Sequence, residues 1–338
     1  MQYRTLGKTG LQVSVVGFGG IPIQRITAQE TAKLFPLMIE QGINYIDSAR
    51  GYTVSEEYIG AALTENNCRD QFILATKSMS RKYADMARDI EISLHNFNTD
   101  FIDLYQLHNI KTDADFALAF SPEGAVAAIE DAIKEGKVGH LGATAHSADS
   151  FKKLLDYPQI ETIMFPYNIV ESQGEALMAQ AKAQNVAVIA MKPLAGGNIT
   201  NGTLAMRYIL QNENCTIAIP GMATAEEILQ NTAAAASNAP LTEAENAEIA
   251  TIRKELSGNF CRRCGYCAPC TVGIDIPTCF TMGSYLRKHG LADWAKSRYG
   301  TFAAKASACI ACGKCEERCP YDLPIREKLK QVAAAFGE

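Results

Sequence analysis

Asp47, Tyr52, Lys77 and His108 are residue types that, brought together, can deliver a proton to an oxygen. A phenol has a pKa of about 10 and is a poor acid at neutral pH. An ammonium beside it stabilises the phenolate and lowers that pKa, and a buried carboxylate holds the ammonium in place. A histidine across the pocket can orient a carbonyl oxygen. Such a set would protonate an alkoxide as hydride arrives at its carbon. Taken singly, each residue has a plainer reading: the Asp as a helix cap or turn residue, the Tyr as half-buried packing, the Lys as a solvated strand end, the His as incidental. Their joint placement decides between the two.

A second set of residues is sulfur. Of eleven cysteines, nine lie between Cys261 and Cys319. They include Cys261-x2-Cys264-x2-Cys267-x2-Cys270 and Cys309-x2-Cys312-x2-Cys315-x3-Cys319-Pro320. The latter matches the bacterial ferredoxin run, in which three closely spaced thiolates meet three corners of one cubane and the fourth ligand reaches elsewhere. The first run is a variant, with a two-residue last gap and Thr271 where Pro is usual. A disulfide scaffold would suit a secreted chain, and zinc ribbons use paired knuckles separated by a linker; neither fits this crowding. By resemblance to two-cluster ferredoxins, one [4Fe–4S] cluster takes Cys261, Cys264, Cys267 and Cys319, and the other takes Cys309, Cys312, Cys315 and Cys270. Cys279 is a spare thiol that could stand in for Cys270, while Cys68 and Cys215 read as small core residues.

The elements that must position these groups alternate. Val13–Gly17, Tyr45–Asp47, Phe72–Thr76, Phe101–Leu107, Val138–Ala143, Thr162–Phe165, Val186–Met191 and Thr216–Ile219 read as strands. Helical-period segments separate them at Ala28–Gln41, Ser55–Leu63, Tyr83–Asn96, Pro122–Glu135, Asp149–Leu155, Gly174–Gln184, Leu204–Leu210 and Ala225–Ala236. Eight strands, each followed by a helix, predict an α/β fold, a (β/α)8 TIM barrel, over residues 1–257. A doubly wound open sheet is disfavoured, because Gly17-Phe18-Gly19-Gly20 is not the dinucleotide fingerprint. Gln2–Leu6 and Leu11–Val15 read as a hairpin capping the barrel base. Residues 258–338 form a smaller α-helical and loop ferredoxin-like domain, with helices expected at Cys279–Lys288 and Leu291–Ala295. In such barrels chemistry sits at the C-terminal strand ends, where Asp47, Lys77 and His108 close three consecutive strands and Tyr52 follows in a loop.

Charge divides at the same boundary. Residues 258–338 hold 12 basic and 7 acidic side chains, net +5, against a chain total of −5, leaving −10 for residues 1–257. The clusters' own negative charge nearly cancels the +5, so no anionic partner is required. The acidic total argues against nucleic-acid binding. No apolar run approaches the roughly 20 residues that span a bilayer, and Met1–Gly10 is polar, so neither a membrane helix nor a signal peptide is expected. The reading is a protein of a reduced, oxygen-poor cytoplasm.

The opening Tyr3-Arg4-Thr5-Leu6-Gly7-Lys8-Thr9-Gly10, the Asp47…Tyr52…Lys77…His108 tetrad and Ile219-Pro220-Gly221 resemble an aldo-keto reductase across residues 1–257. The resemblance implies Tyr52 as general acid, Lys77 and Asp47 as its tuning pair, His108 as carbonyl orienter, and NADH or NADPH lying across the barrel top. It implies coenzyme contacts at Gly20, Thr144, Met191, Pro193, Leu194, Gly196, Gly221, Thr224, Glu227 and Asn231. Several positions depart from the family pattern. Thr144-Ala145 replaces the Ser-Asn that holds the carboxamide, Met164 a Gln, Met191 the stacking Tyr, and Gly221 and Glu227 the Lys and Arg that grip a 2′-phosphate. Glu227 would then accept from ribose hydroxyls and favour NADH, or simply complement the first turn of the last barrel helix. His146 reads equally as a substrate contact or as surface.

Two functions follow. One is a carbonyl oxidoreductase acting on a small aldehyde, ketone or alcohol, with clusters that are structural or serve a redox protein partner. The other is an iron–sulfur electron-transfer protein whose barrel no longer binds nicotinamide tightly.

Overall fold

In the computed structural model, Tyr3–Thr5 (β1) and Gln12–Ser14 (β2) pair antiparallel, Tyr3 opposite Ser14. Gly7 begins their connection at φ 55°, and a side chain there would meet the Asn185 carbonyl at 2.6 Å. Eight parallel strands follow: Phe18–Gly19 (β3), Tyr45–Asp47 (β4), Ile73–Ser78 (β5), Ile102–Leu107 (β6), Val138–Thr144 (β7), Thr162–Pro166 (β8), Ala187–Met191 (β9) and Ile217–Ile219 (β10). They lie in sequence order in one sheet, and bridges Val16–Ala218 and Gly19–Gly221 join its two edges into a barrel. The first strand differs from the sequence expectation of Val13–Gly17. Val13 belongs to the hairpin, and the chain joins the barrel only from Val16. The cause is packing: Leu6 and Val13 are fully buried against Tyr45, Leu104 and Ile217 and plug the barrel base.

Period-two alternation then sorts the strand residues. Ile46, Leu74, Tyr105, Ile163, Val188 and Ala218 face the helices in the large outer core. Tyr45, Ala75, Leu104, Ile189 and Ile217 fill the interior. Asp47, Lys77 and Gln106 are two positions further along three of these inward columns, above the apolar plug, with Lys77 in register with Gln106.

Helices fall where the 3.6 period places them, with shifts of cause. Ala28–Gln41 divides into Ala28–Ala32 and Phe35–Glu40, because Pro36 opens a new helix where its missing N–H costs nothing. Asp113–Ala119 lies in a stretch with no legible signal beyond its Thr112–Asp115 capping box. Glu243–Leu256 was also not anticipated; its apolar face is sparse, with Ile249 its buried residue.

The structure describes residues 1–338 except Ser237, Asn238, Ser257, Cys264, His289 and Pro320, and the side chain of Lys288. Contacts group Met1–Ala195 with Ile199–Thr242 in one compact unit, and Gly196–Asn198 with Glu243–Glu338 in another. The composition change at Ser257-Gly258 therefore falls one helix after the contact boundary. In the second unit Ile276–Lys288, Ala292–Gly300 and Ile325–Phe336 surround a core of Ile274, Met282, Leu323, Leu329 and Val332. Cys279 is fully buried in that core. Among the described residues no helix is long and apolar enough to cross a membrane.

Candidate functional site

The four residues singled out from sequence converge at the C-terminal mouth of the barrel. Asp47 closes β4, Lys77 is the penultimate residue of β5, and His108 follows β6 directly. Lys77 and Asp47 are about 2% and 3% exposed, which makes their pairing a buried one. Lys77 Nζ donates to Asp47 Oδ1 and, at 2.7 Å, to the Ser48 carbonyl. Gln106 Nε2 donates to the other oxygen, Asp47 Oδ2, at 3.2 Å. Two polar groups thus hold the carboxylate, as a buried charge requires. Burial raises the Asp47 pKa and lowers that of Lys77, each offset in part by the other's charge.

The half-buried Tyr52 ring lies over this pair, its centroid 5.1 Å from Lys77 Nζ. The His108 ring meets it edge-on, centroids 6.1 Å apart at 89°. Here the structure corrects the expected electrostatics. The phenol is not drawn below its usual value: burial, and after it the negative charge of Asp47, push it well above 10. Lys77 stands at the ring, its charge already answered by Asp47, so the resting phenol stays protonated.

Further residues, not anticipated from sequence, hold these groups. Gln106 could have been found, since it is two residues before His108 on an inward column. Arg81 Nη2 donates to the carbonyls of His108 (2.8 Å) and Asn109 (3.1 Å), and Nη1 to that of Met79 (3.0 Å), tying the loops after β5 and β6 together. Arg50 pairs with the buried Glu56 at 2.7 Å, and its N–H donates to the Lys77 carbonyl at 3.0 Å, which fixes the turn leading to Tyr52. Thr76 and Ser93 also donate to Glu56 Oε1, at 2.7 and 2.9 Å. These are long-range polar contacts with no local sequence signal.

The positions proposed for a coenzyme are mixed in their fit. Asn231 is 2% exposed and its Oδ1 has no hydrogen-bond partner among the described residues, an acceptor available to an amino group such as adenine's. Gly20 donates to the Asp47 carbonyl at 2.8 Å and its own carbonyl accepts from Ser55 Oγ at 2.9 Å, so its backbone is packed and a side chain there would strike Ser55 Oγ. After β9, Lys192, Ala195, Gly196 and Gly197 all take positive φ, a tight turn that leaves Met191 and Pro193 buried and Leu194 half-buried. Thr144 is fully buried and its Oγ1 accepts from the Asn109 N–H at 2.7 Å. Gly221 packs against Pro22. Thr224 caps the helix Ala225–Ala233, and Glu227 Oε2 accepts from the N–H groups of Ala223 (2.6 Å) and Thr224 (3.1 Å). The helix-end reading of Glu227 is thus the one its hydrogen bonds express.

In the second unit, Cys270, Cys309, Cys312 and Cys315 line one cavity, together with Thr271, Ile276, Leu329 and the basic Lys314, Arg318 and Arg326. Three of these thiols belong to the second run and Cys270 to the first, and Cys279 is not among the lining groups. Among the described residues no three His, Cys, Asp or Glu groups close on a single ion-sized point. A cubane needs no such point, because its four thiolates each take a different iron. Four thiols around one cavity fit that group. Of the other set, Cys267 is 8% exposed, Cys261 and Cys319 are half-buried, and Cys264 lies outside the described residues.

Comparison with known proteins bears on both units. The model of the aldo/keto reductase family matches residues 15–203, and that of a 4Fe-4S dicluster domain matches residues 260–324. Aldo-keto reductase YhdN of Bacillus subtilis is 28% identical over 233 residues, covering 63% of this chain and 68% of that protein. L-galactose dehydrogenase of Arabidopsis thaliana is 25% identical over 290 residues, covering 69% of this chain and 88% of its own length. Among solved structures, the holo form of aldo-keto reductase AKR11C1 from Bacillus halodurans superposes with a TM-score of 0.63 at 25% identity, over 75% of this chain and 96% of that one.

Proposed function

The chain belongs to the aldo/keto reductase family and carries a 4Fe-4S dicluster domain, and from that premise we propose that it interconverts a small carbonyl compound and its alcohol at Tyr52. The observation that carries the reading is the buried Lys77, held by Asp47 and facing the Tyr52 ring, with the His108 ring edge-on to the same phenol. A nicotinamide coenzyme, when bound, supplies or takes up the hydride. Tyr52 holds the proton at its Oη and passes it to the substrate oxygen; the buried lysine stabilises the charge left on the ring. Asp47, fixed by Gln106, keeps Lys77 in place, and His108 orients the carbonyl. Gly20, Met191, Pro193, Leu194, Gly221, Thr224 and Asn231 are the residues proposed to hold the coenzyme. The cysteines are proposed to hold two [4Fe–4S] clusters, one on Cys270, Cys309, Cys312 and Cys315, the other on Cys261, Cys264, Cys267 and Cys319.

A second reading has support in Thr144. Its hydroxyl is buried and already accepts the Asn109 N–H, so one carboxamide-holding position is built into the fold instead. On that reading the chain is an electron-transfer protein with a barrel that binds nicotinamide weakly. An anaerobic titration with NADH and NADPH separates the two: saturable coenzyme binding and turnover of small aldehydes support the reductase. Cluster bleaching by NADH or NADPH would additionally connect hydride oxidation to the clusters. Absence of binding at millimolar coenzyme would overturn the reductase reading.

A further inference from the structure

Thr271 stands where the ferredoxin pattern has proline, and its hydroxyl oxygen lies 3.4 Å from Cys312 Sγ, across 41 positions of sequence. Both residues line the cavity of Cys270, Cys309, Cys312 and Cys315. We propose that Thr271 donates a hydrogen bond to the Cys312 sulfur and raises the reduction potential of the cluster at this cavity; this rests on the cluster reading given above.

A Cys312 ligated to iron is a thiolate and has no proton to give, so of the two atoms only the threonine hydroxyl can be the donor. Reduction adds one electron to the cluster without making or breaking a covalent bond, and part of the added charge falls on the sulfurs. A hydrogen bond to a more negative sulfur is stronger, so the reduced form gains more than the oxidised one and the potential rises. Proline at this position has no hydroxyl and could not act so. Lys314, Arg318 and Arg326 line the same cavity and favour reduction in the same sense; they remain when only position 271 is changed. Cys312 and Thr271 are both exposed, so loss of the hydroxyl replaces an ordered donor with mobile water and leaves no sealed void.

The test is an anaerobic redox titration, followed by electron paramagnetic resonance, of the full chain with its iron content measured, in wild type, Thr271→Val and Thr271→Ser. Wild type should give two one-electron waves. Thr271→Val should lower one of them, the wave missing from Cys309→Ala, while Thr271→Ser stays with wild type. Waves that do not move in Thr271→Val, that move together, or that move as far in Thr271→Ser would overturn the inference alone. Fewer than two clusters in wild type would overturn the cluster reading and this inference with it. If Thr271→Val does not retain the cluster, Thr271→Ala is titrated in its place. Loss in both, with Thr271→Ser intact, would assign the hydroxyl to assembly and overturn the tuning.

Discussion

The phenol of Tyr52 is the residue on which the proposed chemistry turns. Tyr52→Phe should lower carbonyl reduction by on the order of 10²–10⁴-fold, the range for loss of an acid–base group, with coenzyme binding and iron content unchanged; steady-state kinetics beside an iron assay check this. The raised pKa gives a second expectation. A group whose pKa lies well above 10 is fully protonated below that value and loses its proton only as pH climbs through it. Carbonyl reduction should therefore show no falling limb from Tyr52 between about pH 6 and 9, whereas alcohol oxidation, which needs the phenolate, should rise with pH across the range. A reduction rate falling tenfold per unit from neutral pH would mean that Lys77 does draw the phenol down once substrate is present. The tetrad itself was legible because Asp47, Lys77 and His108 sit at three consecutive strand ends and Tyr52 in the loop after the first of them, each with a titratable side chain. Its electrostatics were not, because the balance among burial, Asp47 and Lys77 depends on distances that spacing does not encode.

Among the elements, the barrel strands were readable from β-branched and apolar runs bounded by turns, and seven of the eight agree with the sequence reading to within two residues at either end. β3 was misplaced because Val13 alternates as a barrel strand would, while its side chain fills the plug with Leu6. The helix Asp113–Ala119 was missed because a short capped helix leaves too few turns for a period to register. Glu227 illustrates a residue whose element decides its role. It is the third residue of the helix Ala225–Ala233, with both Ala223 and Thr224 N–H groups on its carboxylate. Glu227→Ala should cost about 0.5–2 kcal/mol, the range for a lost cap, measured by urea unfolding of the loaded protein. An unchanged midpoint, accompanied by a shift in the NADH to NADPH affinity ratio, would return Glu227 to the coenzyme.

For the whole molecule, the expectation is about eight iron and eight sulfide per chain after anaerobic purification. Cys270→Ala should damage the cluster beside Cys309, and Cys319→Ala the one beside Cys261, each substitution acting on the run it does not belong to. Loss confined to the substituted residue's own run would refute the crossed ligand sets. The two-unit organisation was visible in the crowding of nine cysteines and the reversal of charge; the helix Glu243–Leu256, which carries neither signal, precedes the composition change and groups by contacts with the second unit. The barrel has one uneven place: its closure. β3 is two residues long, and the seam to β10 rests on Gly17 N–H to Ala218, Ala218 N–H to Val15, Gly19 N–H to Pro220 and Met222 N–H to Gly19. A ring with one short joint opens there first. In heavy water the Gly17, Gly19 and Ala218 amides should take up deuterium sooner than those of β6 and β7. Because Gly20 and Gly221 lie on opposite sides of that joint, a molecule gripping both would act as a clasp, slowing exchange along this line before anywhere else in the barrel.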